Sequence, residues 1–422
     1  MSSVREKAQA AKSASYKMLT LTTKQKNDAL EAMARQIWME RERILEANEE
    51  DIVNARMDRL SKPLLKRLML DEKKLYSVVE MVKSVSFLED PVGVTQYAVE
   101  LDKGMSLFRV TTPIGVIGAI FESRPDVLPQ IASLCLKSGN AVIMKGGHEA
   151  SNSNQTLYRI TLESTIKAGI PDGWIQLLDV RSEVDELLKL SEYVDLIVPR
   201  GSNSLVKYIQ ENTRIPVLGH SEGVCQIYVD EKANLEKAVK ICFDAKVQYP
   251  AVCNAVDTLL VHKNVAEEFL PLIAERYKHA GVEIRGDNEV CRILGGLAKR
   301  AINSDWGHEY LDLIVAIKVV ENLEEAVQYI NTYGSHHTDS IITEDVRAAI
   351  AFLERVDSAS VFWNVSTRFS DGYRYGLGAE VGISTGKIHA RGPTGLEGLT
   401  TYKYYLVGSG QVVKDYVDGS KK

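Results

Sequence analysis

From Thr112 onward the chain alternates short apolar, β-rich runs with stretches of helical spacing, and this alternation constrains the fold more than any other feature. Runs at 114–121, 141–145, 174–180, 194–199 and 215–218 read as strands, with helices at about 126–137, from the end of the second run to Lys167, and opening near Ser202. Strands joined through helices pair in parallel and are covered on both faces, which predicts a doubly covered parallel sheet. A second round begins at Gly223, with strands predicted at 225–229, 258–261, 311–320, 340–343 and 360–363 and helices at 235–246, 265–279, 323–331 and 345–355. Two α/β domains are therefore expected. Before Thr112, Leu30, Met33, Ala34 and Ile37 recur at helical spacing within a segment, 24–83, dominated by Glu, Lys and Arg, which reads as a solvated helical flank. After Gly372 the chain is Gly-rich and then β-like at 400–407; so few core residues predict packing on another domain or subunit.

Charge and composition exclude several classes. The 422 residues carry 51 Lys and Arg against 57 Asp and Glu, a net charge of −6. No clustered basic excess of the kind a nucleic-acid surface needs is present, although one anionic ligand would need only a local site. No apolar stretch approaches the roughly 18 residues of a membrane span, and the first 25 residues lack the apolar core of a secretory signal, so a cytoplasmic location is expected. The five cysteines form no C-x-x-C pair, which argues against a disulfide framework or a zinc knuckle and predicts reduced thiols.

The familiar nucleotide and metal motifs fail. No complete G-x-G-x-x-G exists; GISTGK at 382–387 is one residue short of a P-loop and is followed by Ile388. His308 and Glu309 do not continue into H-E-x-x-H, and His336 with His337 lacks a third ligand at recognisable spacing, so no metal site is expected. An anion site is better supported. Arg200, Gly201, Ser202 and Asn203 join a predicted strand to a predicted helix, where glycine admits close backbone approach and the helix N-terminus offers orphan N–H groups; an ordinary helix cap is the plainer alternative. Lys145 ends another strand and precedes Gly146, Gly147 and His148. Ligands of open parallel sheets bind beyond the carboxyl ends of strands, so Lys145 and Arg200 together point to a phosphorylated ligand, whereas either alone is equally a solvated strand-end charge. Among the cysteines, Cys135, Cys225 and Cys242 fall inside predicted core elements, while Cys253 lies in a loop before a strand, where a thiolate could attack a carbonyl.

These stretches together resemble the gamma-glutamyl phosphate reductases, a branch of the aldehyde dehydrogenase superfamily. The resemblance rests on TPIGVIGAIFESRPDV at 112–127, SGNAVIMKGGHEA at 138–150, VPRGSNSLV at 198–206, GHSEGVCQIYVD at 219–230, YPAVCNA at 249–255, AVQYINTYGSHHTDSI at 326–341 and GPTGLEGLTTYKY at 392–404, and it spans nearly the whole chain. Tyr329 stands where the pattern has His, a change expected to affect packing more than chemistry. The implied fold is aldehyde dehydrogenase-like α/β, with two Rossmann-like parallel-sheet domains and a small β oligomerisation arm. Its expected division is a discontinuous cofactor domain at 1–97, 112–222 and 366–386, a catalytic domain at 223–365, and an arm at 98–111 and 387–422.

The implied reaction is NADPH-dependent reduction of L-glutamyl 5-phosphate to L-glutamate 5-semialdehyde with release of phosphate, the second step of proline synthesis from glutamate. Cys253 is then the nucleophile that forms a thioester, and the loop Glu122-Ser123-Arg124, Ser123 in particular, is expected to help hold the oxyanion. The resemblance assigns Lys145 to the adenosine ribose, Arg200, Gly201, Ser202 and Asn203 to the pyrophosphate, and Glu309 to the nicotinamide ribose. An acid directly after Lys145 would repel a 2′-phosphate; Glu149 is displaced from that position, which favours NADP. Arg124 and Arg391 are candidates for the substrate carboxylate, or else structural ion pairs. Hydrolytic aldehyde dehydrogenases carry a Glu base in E-L-G-G, whereas this chain reads Val217-Leu218-Gly219-His220, with Glu222 nearby. The missing base favours the reductase over a hydrolytic dehydrogenase; a third alternative, a catalytically silent binding module, is opposed by retention of Cys253 and both anion-binding turns. The 111 residues before the first match are too few for an amino-acid kinase, so a stand-alone reductase is expected, with transient association with glutamate 5-kinase and homo-oligomer formation as its expected partnerships.

Overall fold

The predicted alternation is realised as two separate parallel sheets in the computed structural model, which describes residues 3–220 and 222–417. The chain divides into two compact units, one formed by the chain up to Leu218 together with the chain from Gly395 onward, the other by Gly219–Thr394.

In the first unit the strands Ile175–Leu178, Ala141–Lys145, Val116–Phe121 and Leu196–Arg200 lie side by side in that order, all parallel. Val116–Phe121 and Ala141–Lys145 are buried along their whole length, as an apolar run without alternation requires of a strand covered on both faces. The predicted strand at 215–218 is reduced to one parallel bridge, Ile197 to Val217. The charged N-terminal segment is more than a solvated flank. It forms the helices Val4–Met18, Thr23–Met39, Arg41–Met57, Lys62–Leu68 and Glu72–Phe87, and Thr23–Met39 packs on both Glu72–Phe87 and Ser151–Lys167 through the stripe Leu30, Met33, Ala34 and Ile37. Capping boxes at Ser3 with Glu6 and at Thr22 with Gln25 start the first two of these helices.

Two buried polar residues fasten this helical layer to the sheet's own helices. Asn48 accepts the Leu70 N–H at 2.7 Å and donates to the Leu68 carbonyl and the Ser153 hydroxyl, each at 3.0 Å. The Asp51 carboxylate accepts from the Asn152 N–H at 3.0 Å, the Ser153 N–H at 2.8 Å and the Ser153 hydroxyl at 2.6 Å, so it caps the helix Ser151–Lys167 from a different helix. Thr95–Asp102, Met105–Pro113 and Thr400–Val407 form a separate antiparallel sheet that takes in residues 98–111 and part of 387–422. The side chains of Thr400–Val407 are exposed after its first residue.

The second unit holds a seven-stranded parallel sheet ordered Ala298–Arg300, Glu283–Gly286, Ile314–Val320, Val256–His262, Cys225–Val229, Thr338–Ile342 and Ser360–Trp363. Glu283–Gly286 and Ala298–Arg300 were not predicted. They are short, lie at one edge and are rich in charge, so they lack the apolar run that marks a central strand. Residues 366–386, expected with the cofactor domain, belong to this second unit, as do 387–394, expected in the arm. Side-chain bonds explain the first assignment: Asn254 donates to the Ser370 carbonyl at 2.8 Å, and the Tyr375 hydroxyl to the Ser360 hydroxyl at 2.7 Å. Tyr329 is buried in the core, edge-on to Trp306 and close to Tyr333, so its place is one of packing.

Burial raises the Asp51 carboxyl above its ordinary value, and the three donors only partly offset this. The stability linked to that raised value is fully present below the unfolded pKa of about 4 and is lost as pH rises through the folded value. Asp51→Ala should therefore lower stability near neutral pH by about 1–3 kcal/mol, because two helix-terminal N–H groups lose their acceptor. It should also flatten the fall in stability as pH rises above about 4. Denaturant midpoints measured across pH test both expectations.

Candidate active site

In the second unit the reactive groups precede the strands instead of following them. Cys253 lies in the turn before Val256–His262, Gly223 and Val224 lead into Cys225–Val229, and His337 stands immediately before Thr338–Ile342. Strands Val256–His262, Cys225–Val229 and Thr338–Ile342 are consecutive neighbours, so their leading segments converge.

Close backbone approach fixes Cys253. A Cβ on Gly223 would lie 2.3 Å from the Cys253 Cβ and 2.6 Å from its carbonyl oxygen, so only glycine lets the two segments meet. The Cys225 thiol donates to the Cys253 carbonyl at 3.2 Å. Burial, reinforced by the Asp339 and Asp257 charges, pushes the Cys225 thiol well above its ordinary value. Cys225 is therefore a protonated strut under Cys253, a place its core position in the sequence did not reveal. Cys135 and Cys242 are buried as expected, with their thiols raised by burial.

Two imidazoles complete the group. One ring nitrogen each of His220 and His337 and the Cys253 sulfur all lie within 4.8 Å of one another, and no carboxylate belongs to the group among the described residues. The two rings meet edge to face, 4.9 Å between centroids. His220 Nδ1 is 2.7 Å from the Ile383 carbonyl. A carbonyl oxygen can only accept, so Nδ1 carries a proton and Nε2 is the nitrogen that accepts or hands one over. His337 is fully buried; its Nδ1 meets the Thr338 hydroxyl at 2.9 Å and the Cys225 thiol at 3.5 Å, and its Nε2 has no hydrogen-bond partner. Burial and the neighbouring His220 hold His337 well below the ordinary histidine value, so it is neutral. Glu222, considered as a substitute base, is exposed and outside this group.

A cation near Cys253 was also missed. The half-buried Arg368 interacts electrostatically with Cys253 and donates from Nε to the Gln248 side chain at 2.9 Å. Burial, and then repulsion from Arg374, lowers its pKa. The two arginines within RFSDGYRYG at 368–376 were a sequence signal for an anion-binding loop.

The first unit carries the other expected residues at one edge of its sheet. Ile120 pairs with Lys145 and Phe121 with Arg200, so Lys145 and Arg200 flank the end of the strand that leads into Glu122-Ser123-Arg124. The Glu122 carboxylate accepts the Ser202 N–H at 2.6 Å and the Ser202 hydroxyl at 3.2 Å, so it fills the anion position at the N-terminus of Asn203–Asn212. A Cβ on Gly201 would lie 2.5 Å from this carboxylate, so the glycine leaves room for it. Lys145 is 7% exposed, bonds from Nζ to the Gly146 carbonyl, and has its pKa lowered by burial.

Ser123 has a left-handed backbone, φ 43°, and donates its N–H to Glu149 at 2.7 Å and its hydroxyl to the same carboxylate. An oxyanion role for Ser123 would thus require its hydroxyl to leave Glu149. Arg124 is exposed and bonds to Asp126 at 3.1 Å. Arg391, in the second unit, bonds to the Asp357 carboxylate and carbonyl, each at 3.1 Å. These are the ion pairs weighed earlier against substrate binding, and the two arginines belong to different units. Glu309 is half-buried in the second unit near Asp257, whose carboxyl is raised to about 7 by burial, with Lys246 opposing and Glu309 adding to the shift.

The aldehyde dehydrogenase family profile matches residues 2–292. A protein of Natronomonas pharaonis named gamma-glutamyl phosphate reductase is 56% identical over 99% of this chain and 95% of its own length. One of the same name from Acetivibrio thermocellus is 52% identical, covering 99% and 97%. The crystal structure of gamma-glutamyl phosphate reductase from Thermotoga maritima superposes with a TM-score of 0.96 at 41% identity, covering 97% of this chain and all of that one. An acetylating aldehyde dehydrogenase from Geobacillus thermoglucosidasius, 18% identical with a TM-score of 0.66, shares the fold. With the fold, the cysteine loop and near full-length identity in agreement, this chain belongs to the gamma-glutamyl phosphate reductase family of the aldehyde dehydrogenases.

Proposed function

We propose that this chain reduces L-glutamyl 5-phosphate to L-glutamate 5-semialdehyde with NADPH, releasing phosphate, as the second step of proline synthesis from glutamate. The single observation that carries this reading is the group around Cys253, a thiol within 4.8 Å of a ring nitrogen of each of two histidines, one of which can take its proton. The names of the relatives support the same substrate.

His220 takes the Cys253 proton through Nε2, and the thiolate attacks the acyl carbon. The C–O bond to phosphate breaks, the proton passes to the departing phosphate, and a thioester remains. A bound nicotinamide supplies the hydride that reduces this carbonyl. The C–S bond then breaks, the aldehyde leaves, and the thiolate regains a proton from solvent. Neutral His337 closes the buried side of the group without adding charge. Arg368 is the cation suited to an anionic part of the substrate; Arg124 and Arg391 serve that purpose only if their aspartates release them.

The residues of the first unit fit a dinucleotide phosphate. Among the helix N-termini at this sheet edge, that of Ser151–Lys167 is filled by the 3% exposed Asp51, whereas that of Asn203–Asn212 holds the half-exposed Glu122, which an entering pyrophosphate can displace. Arg200, Gly201, Ser202 and Asn203 would then hold the pyrophosphate, and Lys145 the ribose. Bonding to Ser123 turns the Glu149 carboxylate toward its own loop, which favours NADP over NAD. Glu309 retains the nicotinamide ribose as its assignment. Exposed Tyr402, Tyr404, Tyr405, Leu406 and Val407 on the strand Thr400–Val407 support homo-oligomer formation, and a labile acyl phosphate favours direct delivery from glutamate 5-kinase.

Run in reverse, NADP reduction by glutamate semialdehyde should require inorganic phosphate and vanish in Cys253→Ala, which still binds cofactor; phosphate-independent oxidation would instead indicate the hydrolytic dehydrogenase. Gly223→Ala should keep the fold and cofactor affinity but lower kcat by about 100-fold, because displacement of the nucleophile by an ångström costs on that order. Lys145→Ala should raise KM for NADPH by about 10–100-fold with little change in kcat, the loss of one charge-assisted contact. Steady-state kinetics on purified variants check both.

A further inference from the structure

We propose that Cys253, His220 and His337 form a binding site for a thiophilic divalent cation, zinc above all, and that its occupation reversibly blocks the enzyme. The block rests on Cys253 being the nucleophile, whereas the metal site rests on the geometry alone. Zinc binds three or four thiolate and imidazole ligands at about 2.0–2.3 Å, which sets neighbouring ligand atoms about 3–4 Å apart. One ring nitrogen of each histidine and the Cys253 sulfur already lie within 4.8 Å of one another, so side-chain rotations can bring a lone pair of each ring and the sulfur onto one centre.

The surroundings match those of metal-binding histidines. A ligating imidazole donates its second N–H to a carbonyl or comparable acceptor, which fixes the tautomer. His220 does this to the Ile383 carbonyl at 2.7 Å, leaving Nε2 as the lone-pair nitrogen. His337 can donate from Nδ1 to the Thr338 hydroxyl at 2.9 Å, which leaves the lone pair on its buried, unpartnered Nε2. A buried polar atom without a partner is costly, and a cation would satisfy it. Cys253 completes the set as thiolate: the S–H bond breaks, the proton goes to solvent, and the sulfur binds the metal without redox change. A zinc-bound sulfur cannot attack an acyl phosphate, so metal and substrate compete for it.

Cobalt(II), a spectroscopic stand-in for zinc, tests the site independently of turnover. The expected result is one Co²⁺ per chain with a thiolate-to-cobalt charge-transfer band in the near ultraviolet, absent in Cys253→Ser. Affinity should fall at least about tenfold in His220→Ala. Because His337 is fully buried and its variants can fail to fold, wild-type protein supplies the second measurement: zinc should protect Cys253 from iodoacetamide and stop turnover, and EDTA should reverse both. Absence of the band, a band undiminished in His220→Ala, or zinc binding that leaves Cys253 open to alkylation would overturn the proposal. A chain that shows the band but no reductase activity would retain the metal site and refute only the assigned reaction.

Discussion

The contact on which the catalytic unit depends is the approach of the Gly223 backbone to Cys253. With no side chain at Gly223, the segment leading into Cys225–Val229 can lie against the turn before Val256–His262. That segment carries His220 on one side and Cys225 on the other. One glycine thus sets the position of Cys253, brings an imidazole to it and places a protonated thiol beneath its carbonyl. Burial around these groups separates their chemistry. It holds Cys225 as a thiol and His337 as a neutral ring, while Cys253 is only partly buried and so can meet a substrate.

The two units solve the placement of a reactive edge differently. In the first, the candidate cofactor residues follow the strands, as the rule for open parallel sheets anticipates. In the second, Cys253 and His337 precede them. Acidic side chains occupy two of the helix N-termini near the first edge, but unequally: Asp51 is buried and anchors the helical layer, and Glu122 is half-exposed. A charged N-terminal segment that reads as a surface flank in fact supplies the buried acidic cap.

The sequence by itself determined the alternating architecture, the ends of the strands carrying Lys145 and Arg200, and the loop position of Cys253. These are legible because buried parallel strands must be continuous apolar runs and because function gathers where such runs stop. Only the tertiary structure decided what surrounds the thiol. His220, Cys253 and His337 are far apart in the chain and fit no ligand spacing; they meet because three adjacent strands start at one place, and strand order is set by packing, which no local pattern records. The same reason hid Arg368 and moved 366–386 into the second unit, since both depend on long-range bonds to Gln248 and Asn254.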